Sequence, residues 1–502
     1  MDDECQTKDH SVSIARHVLA PKQAQADLYV CHSARSCPIE GRTNVRRGYE
    51  DHAMPGRTPV LPCRKRSKKP DDQTQKIHQI FFLATMFGYK EALDKLAISS
   101  PGVYRDQLFM NFTNAHFPVD LPSRYVVLPK LSDWFSPRSP AMAAALDCLL
   151  LVQFAADTGH EGCKIEAKKR HQAAIQHLRR ELQKPNAATD DGILGAIDAL
   201  CIGEMYAEIS QGADVWKHHA RGMCKLVKAR GPQSINTPFA RDVIIDSLHV
   251  ALMDAIIARK AFIFGDKEWL DYTAQFKNRR MCHLLNIGCR IPTLLERVDR
   301  VAQENNIDPR DMTDLLRELK DVELRLSNWL LDWYKARDNV LQYWPVSITQ
   351  FPKFVHQYGA LAHVFPLAFK FRSILDAFGH IYFWTLLLPV REAICDVAKH
   401  PQAPFLQSSA HLVAAANECA YALCQSVPYK SSESPKCTCG VLATCGPLMF
   451  AAQWFDKQND QQRANWCRTI CETLDRGQAH VAELRKSVCL PRAFAGWMAV
   501  AF

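Results

Sequence analysis

The sequence predicts an all-α fold, a large multi-helix regulatory body preceded by a flexible, basic N-terminal arm. From about residue 76 onward, apolar residues recur at the three-and-four spacing of helix faces almost throughout. β-Branched alternation is scarce, and Val126-Val127-Leu128, bounded by Pro129, is the one short stretch that reads as extended. Before residue 76 the periodicity fades, and Pro38, Gly41, Gly48, Pro55-Gly56, Pro59, Pro62 and Pro70 punctuate the chain. The division is therefore an arm at 1–75 and a helical body at 76–502.

Length and composition set outer bounds. The chain has 502 residues, with 62 Lys and Arg against 53 Asp and Glu, a formal charge of +9. Apolar residues at 47% and charged residues at 23% are globular values, which excludes wholesale disorder and collagen-like sequence. Nineteen Cys without a secretory signal predict a reducing compartment, because Met1-Asp2-Asp3-Glu4-Cys5 is acidic and no apolar run follows it.

The apolar stretch Ala141–Ala156 falls short of the roughly 20 residues of a membrane span and carries Asp147. It predicts a buried core helix, and no membrane partner is expected. Next, Arg170–Gln183 places Ile175, Leu178 and Leu182 on one face, and Pro185 stops it for want of an amide hydrogen. Thr189-Asp190-Asp191 supplies short polar side chains that accept hydrogen bonds from the free amides of a helix start. The helix that follows sets Ile193, Leu194, Ile197, Leu200, Cys201, Met205 and Ile209 on one stripe.

After Asp214, a third helix carries Trp216, Ala220, Met223, Leu226 and Val227 inward and closes at Gly231-Pro232. Further amphipathic runs are Ala240–Phe262, Met312–Lys335, Phe354–Phe378, Ser409–Gln425, Leu448–Phe455 and Gln461–Leu474. No solenoid-period repeat is present in the sequence.

Enzyme signatures are absent from the sequence: no phosphate-cradling glycine loop, dinucleotide fingerprint, serine elbow or H-E-x-x-H zinc helix occurs. His160-Glu161 starts the last of these, but residue 164 is Lys. No catalytic residue is assigned, and the chain is expected not to be an enzyme. The rival from that class is an all-helical enzyme whose groups converge from distant helices. For metal, Cys437, Cys439 and Cys445 lack a nearby fourth ligand, although Cys467 and Cys471 lie at i, i+4 on a later helix. His218-His219 offers one ligand at most. Both sets read as packing or surface residues, so no metal ligand is assigned.

Arg64, Lys65, Arg66, Lys68 and Lys69 place five positive side chains in six residues. Such a cluster suits nuclear import and also phosphate contact, where neutralisation releases condensed counterions. A solvated linker without a partner is the plain alternative.

Three segments in order, Ala173–Leu182 (AAIQHLRREL), Asp190–Glu204 (DDGILGAIDALCIGE) and Trp216–Pro232 (WKHHARGMCKLVKARGP), resemble the fungal-specific transcription factor domain that accompanies zinc binuclear cluster (Zn2Cys6-type) DNA-binding domains. Trp216, His219, Gly222, Arg230, Gly231 and Pro232 fall on its third motif as family-motif structural residues, and Pro447–Phe455 with Trp466-Cys467 resembles its C-terminal helices. The resemblance covers about 76–502. It implies a fungal nuclear transcription regulator of a metabolic or secondary-metabolite gene cluster, meeting promoter DNA directly or through a partner protein, with homo- or hetero-dimers open.

The family's six-cysteine cluster, which holds two zinc ions, is not matched. Residues 1–75 contain Cys5, Cys31, Cys37 and Cys63 and no C-x2-C pair, although Cys63-Arg64-Lys65-Arg66 echoes its C-R-x-R phrase. Zinc is expected of the family, but no cofactor is assigned here. Three readings stay open: a member that lost its cluster and acts as a cofactor or repressor through partners, a weak DNA binder through the basic arm, or a sequence from whose start the cluster was left out.

Overall fold

Residues 138–158, 161–207, 215–276, 280–304, 308–337, 339–401, 409–433 and 438–476 are described by a computed structural model. Within them the chain is all-α apart from one two-stranded sheet. The basic run Arg64–Lys69, the four arm cysteines, Val126-Val127-Leu128 and Cys437 lie outside the described residues.

The first unit is built from α1 (Pro140–Thr158), α2 (Glu161–Glu181), α3 (Asp191–Ala207) and α4 (Val215–Arg230). α1 packs along both α2 and α3, which explains why Ala141, Met142, Leu146, Leu149 and Leu150 are all buried. The helix expected over Ala141–Ala156 is thus a core helix, and no described helix is long and apolar enough to cross a membrane. Glu181 at the end of α2 accepts a hydrogen bond from the Ala141 amide, one of the donors a helix start leaves free.

The apolar face of α2 differs from the expected one. Its buried residues include Cys163, Ala167, Ala174 and Leu178, whereas Leu182 lies past the helix end and is 44% exposed. The small side chains let α1 approach closely, so a stripe counted from large residues alone is misplaced.

α3 starts as expected, with Asp190 accepting from the Gly192 amide at 2.7 Å. Every residue from Gly192 to Leu200 is buried. A helix enclosed on all sides needs no polar face, and α3 is held among α1, α2, α4 and the next helix, α5 (Pro238–Ala258). α4 buries Trp216, Ala220, Met223, Leu226 and Val227, the five residues expected to point inward. α5 begins at Pro238 behind Thr237, whose hydroxyl accepts from the Ala240 amide at 3.1 Å. It ends at Arg259 in the left-handed region, short of the expected Phe262.

The chain continues through α6 (Lys267–Ala274), α7 (Arg280–Gly288), α8 (Ile291–Gln303) and α9 (Pro309–Lys335). One expectation fails here. Phe354–Phe378 is not a single amphipathic helix but a short α10 (Pro352–Tyr358), a 3-10 segment (Gly359–Val364), strand β2 (Leu367–Phe371) and the start of α11 (Ile374–Ala398). Strand β1 (Tyr343–Ser347) pairs antiparallel with β2, with Tyr343 opposite Phe371 and Ser347 opposite Leu367. Gly359, with φ at 53°, and Pro366 interrupt the helical periodicity, and Ser373 caps α11.

α11 is buried along nearly its whole length, against α8, α9, α12 (Ser409–Glu433) and α13 (Thr438–Lys457); α14 (Gln461–Arg476) packs on α13. Cys445, Cys467 and Cys471 are buried thiols in this packing.

Candidate functional site

The three segments that carry the family resemblance form α2, α3 and α4, with polar side chains tying α3 to α4 at both ends and α2 to them at one. Residue pairing shows that α3 and α4 run antiparallel, since Asp191 meets Arg230 at one end and Glu204 lies by His219 at the other.

At the first end, the Arg230 guanidinium is 3% exposed and donates to Asp191 Oδ1 at 2.7 Å and to the Ser234 carbonyl at 3.2 Å. Asp191 also accepts from the Thr237 hydroxyl and faces Arg138 at 3.7 Å. Gly231 takes φ of 71°, a left-handed value that favours glycine, and Pro232 opens a 3-10 turn. The Arg230-Gly231-Pro232 phrase is thereby explained: it reverses the chain and returns a charge to the start of α3. Arg138, Asp190, Asp191, Arg230, Gln233 and Thr237 line an open polar cleft of about 640 Å3. Gly222 is a different matter. Among the described residues a Cβ there would meet nothing within 4 Å, so their packing does not require glycine.

At the second end, His171 of α2, Glu204 of α3 and His219 of α4 converge. His171 Nε2 lies 2.9 Å from Glu204 Oε1, and the Glu204 side chain is only 1% exposed. The His171 and His219 rings meet edge to face with centroids 6.5 Å apart. One potential ligand atom from each of the three residues lies within 4.8 Å of the others. Burial drives the His219 imidazole down to about 4, against the opposing pull of Glu204, so it is neutral at pH 7 and keeps a lone pair to offer. Trp216, one turn before His219 and fully buried, fixes this end of α4, and its carbonyl accepts from the Cys201 thiol at 3.6 Å.

The expected site residues thus divide. Trp216 is buried in α4, and Arg230, Gly231 and Pro232 form the turn and ion pair at its end. His219 joins two residues, His171 and Glu204, that sequence reasoning did not single out, although Glu204 ends one of the resembling segments. Their separations of 33 and 15 positions carry no ligand spacing, so only the packing of three helices brings them together. The described residues also hold charged pairs that lock α4 to α5, where Arg221 clasps Asp254 through two bonds of 2.8 and 3.1 Å.

No family model, no curated protein and no solved structure matches this chain.

Proposed function

We propose that the chain is a fungal nuclear transcription regulator whose helical body is the regulatory module and whose basic arm provides nuclear entry and phosphate contact. The observation supporting this reading is the assembly of the three resembling segments into one unit. Its Asp191–Arg230 pair gives a structural reason for the start of the second segment and the end of the third. The body sets an activity state or receives partners, and Arg64, Lys65, Arg66, Lys68 and Lys69 supply charge for import and for phosphates. The regulated genes are proposed to belong to a metabolic or secondary-metabolite cluster.

A second reading, a cofactor or repressor that reaches promoters only through a partner protein, is favoured by the cysteine count. Four thiols in residues 1–75 cannot form the six-thiolate shell that holds two zinc ions, and such small segments fold on the energy of their metal. Replacing Arg64, Lys65 and Arg66 together by Ala tests the arm. Loss of nuclear accumulation and of target transcription is expected, and unchanged values of both contradict the assigned role.

A further inference from the structure

We propose that His171, Glu204 and His219 form a binding site for one divalent transition metal ion, zinc foremost, which ties α2 to the α3–α4 pair. The inference stands on these three side chains and is independent of the regulatory reading.

The donor set suits such an ion. Two imidazoles and one carboxylate are the ligand types of three-residue zinc sites, and imidazole nitrogen favours zinc, copper or nickel over magnesium and calcium. The three residues together carry one negative charge when both imidazoles are neutral, which a divalent ion reverses to a single positive charge. In a tetrahedral shell with bonds of 2.0–2.2 Å, ligand atoms sit roughly 3.3 Å apart. The 2.9 Å pair therefore opens slightly, and separations of up to 4.8 Å close. Side-chain rotation at the half-buried His171 and His219 accommodates both, with no helix needing to move.

Entry changes the tautomer of one imidazole. A neutral His171 that carries its proton on Nε2, toward Glu204 Oε1, gives that nitrogen to the ion and is reprotonated at Nδ1, so no net proton is lost. Glu204 is almost fully enclosed, and a divalent ion would compensate the charge of its carboxylate there. His171 and His219 are both partly exposed, and three protein ligands leave a four-coordinate ion one position for water. Each ligand comes from a different helix, so a bound ion acts as a cross-link that stabilises the folded chain in proportion to its affinity and concentration.

The test uses the purified full-length chain, stripped by chelator and titrated with zinc and with cobalt(II). The nineteen cysteines make the ligand type the deciding readout. Cobalt held by nitrogen and oxygen gives visible d–d bands without the intense near-ultraviolet charge transfer of thiolates. The expected result is one equivalent bound with d–d bands alone, at least tenfold weaker binding in His171→Gln and in His219→Gln, and a melting temperature that zinc raises in the wild type but not in either variant. These substitutions keep a polar side chain at a half-buried position, and Glu204→Gln adds a third that retains shape. Metal bound equally well by the variants, purely thiolate cobalt spectra, or no zinc above that held by the double histidine variant would each overturn the site.

Discussion

Replacing Asp198 by Asn removes a carboxyl from the most enclosed helix of the first unit and leaves its shape unchanged. Asp198 is 2% exposed, and its Oδ1 accepts from the Ser247 hydroxyl of α5 at 2.9 Å. Among the described residues its Oδ2 has no hydrogen-bond partner. Burial raises its pKa from 3.8 to about 7, with the Ser247 hydrogen bond opposing the rise. The folded chain therefore holds a proton that the unfolded chain releases above pH 4. The stability this gives is complete below 3.8 and is lost as pH climbs to about 7. Taking both values, the loss from this group between pH 5 and pH 8 is about 2–3 kcal/mol. Asn has no such titration and still accepts from Ser247. Urea unfolding at several pH values across that range should therefore give Asp198→Asn a flatter profile than wild type by about 2–3 kcal/mol, with the variant gaining relative stability at the alkaline end. Parallel profiles would refute the claim that Asp198 is buried without charge compensation.

Other outcomes follow from the same packing. Asp191→Ala strands the Arg230 guanidinium in its buried position and should cost about 3–5 kcal/mol in denaturant unfolding, as breaking one side of a buried pair does. A Cβ at Gly379 would lie 2.6 Å from the Trp333 ring, which stacks on Trp329, so Gly379→Ala should destabilise by about 1–3 kcal/mol. Gly222→Ala, with open space and a helical backbone, should instead raise stability by about 1 kcal/mol, and thermal melts of the two variants check both signs. Burial holds His380 at about 4, below its ordinary 6.5, with the Asp376 carbonyl opposing the fall and Arg337 adding to it. Its neutral form favours the fold above 6.5, and about 3 kcal/mol of that is lost as pH falls to about 4. His380→Gln should unfold with a shallower acid limb than wild type in pH-dependent melts.

Legibility in the sequence followed the strength of local signals. α3 and α4 were legible because a polar start, a 3.6-residue apolar stripe and a Gly-Pro stop agree with one another, and Asp190, Trp216 and Gly231 take the positions those signals imply. The β1–β2 pair was not legible. Tyr343–Ser347 contains Pro345, and β2 buries Ala368 and Phe371 without strict alternation, so neither segment shows the period-two pattern. What holds them is an aromatic cluster of Tyr343, Phe369, Phe371 and Trp384, formed by residues distant in sequence. His171, Glu204 and His219 were missed for the same reason. Each lies on its own helix, and no spacing within one helix reports a site assembled from three. The signal available in the sequence was that Glu204 and His219 occupy fixed places in two of the resembling segments, flanking the α3–α4 connection.

The proposed regulator acts at promoters through this helical body and its basic arm. Genome-wide chromatin occupancy of the tagged full-length protein, expressed from its native locus, tests it most directly. Discrete promoter peaks are expected, weakening when Arg64, Lys65 and Arg66 are replaced by Ala. An abundant protein with no enrichment at any promoter would contradict it.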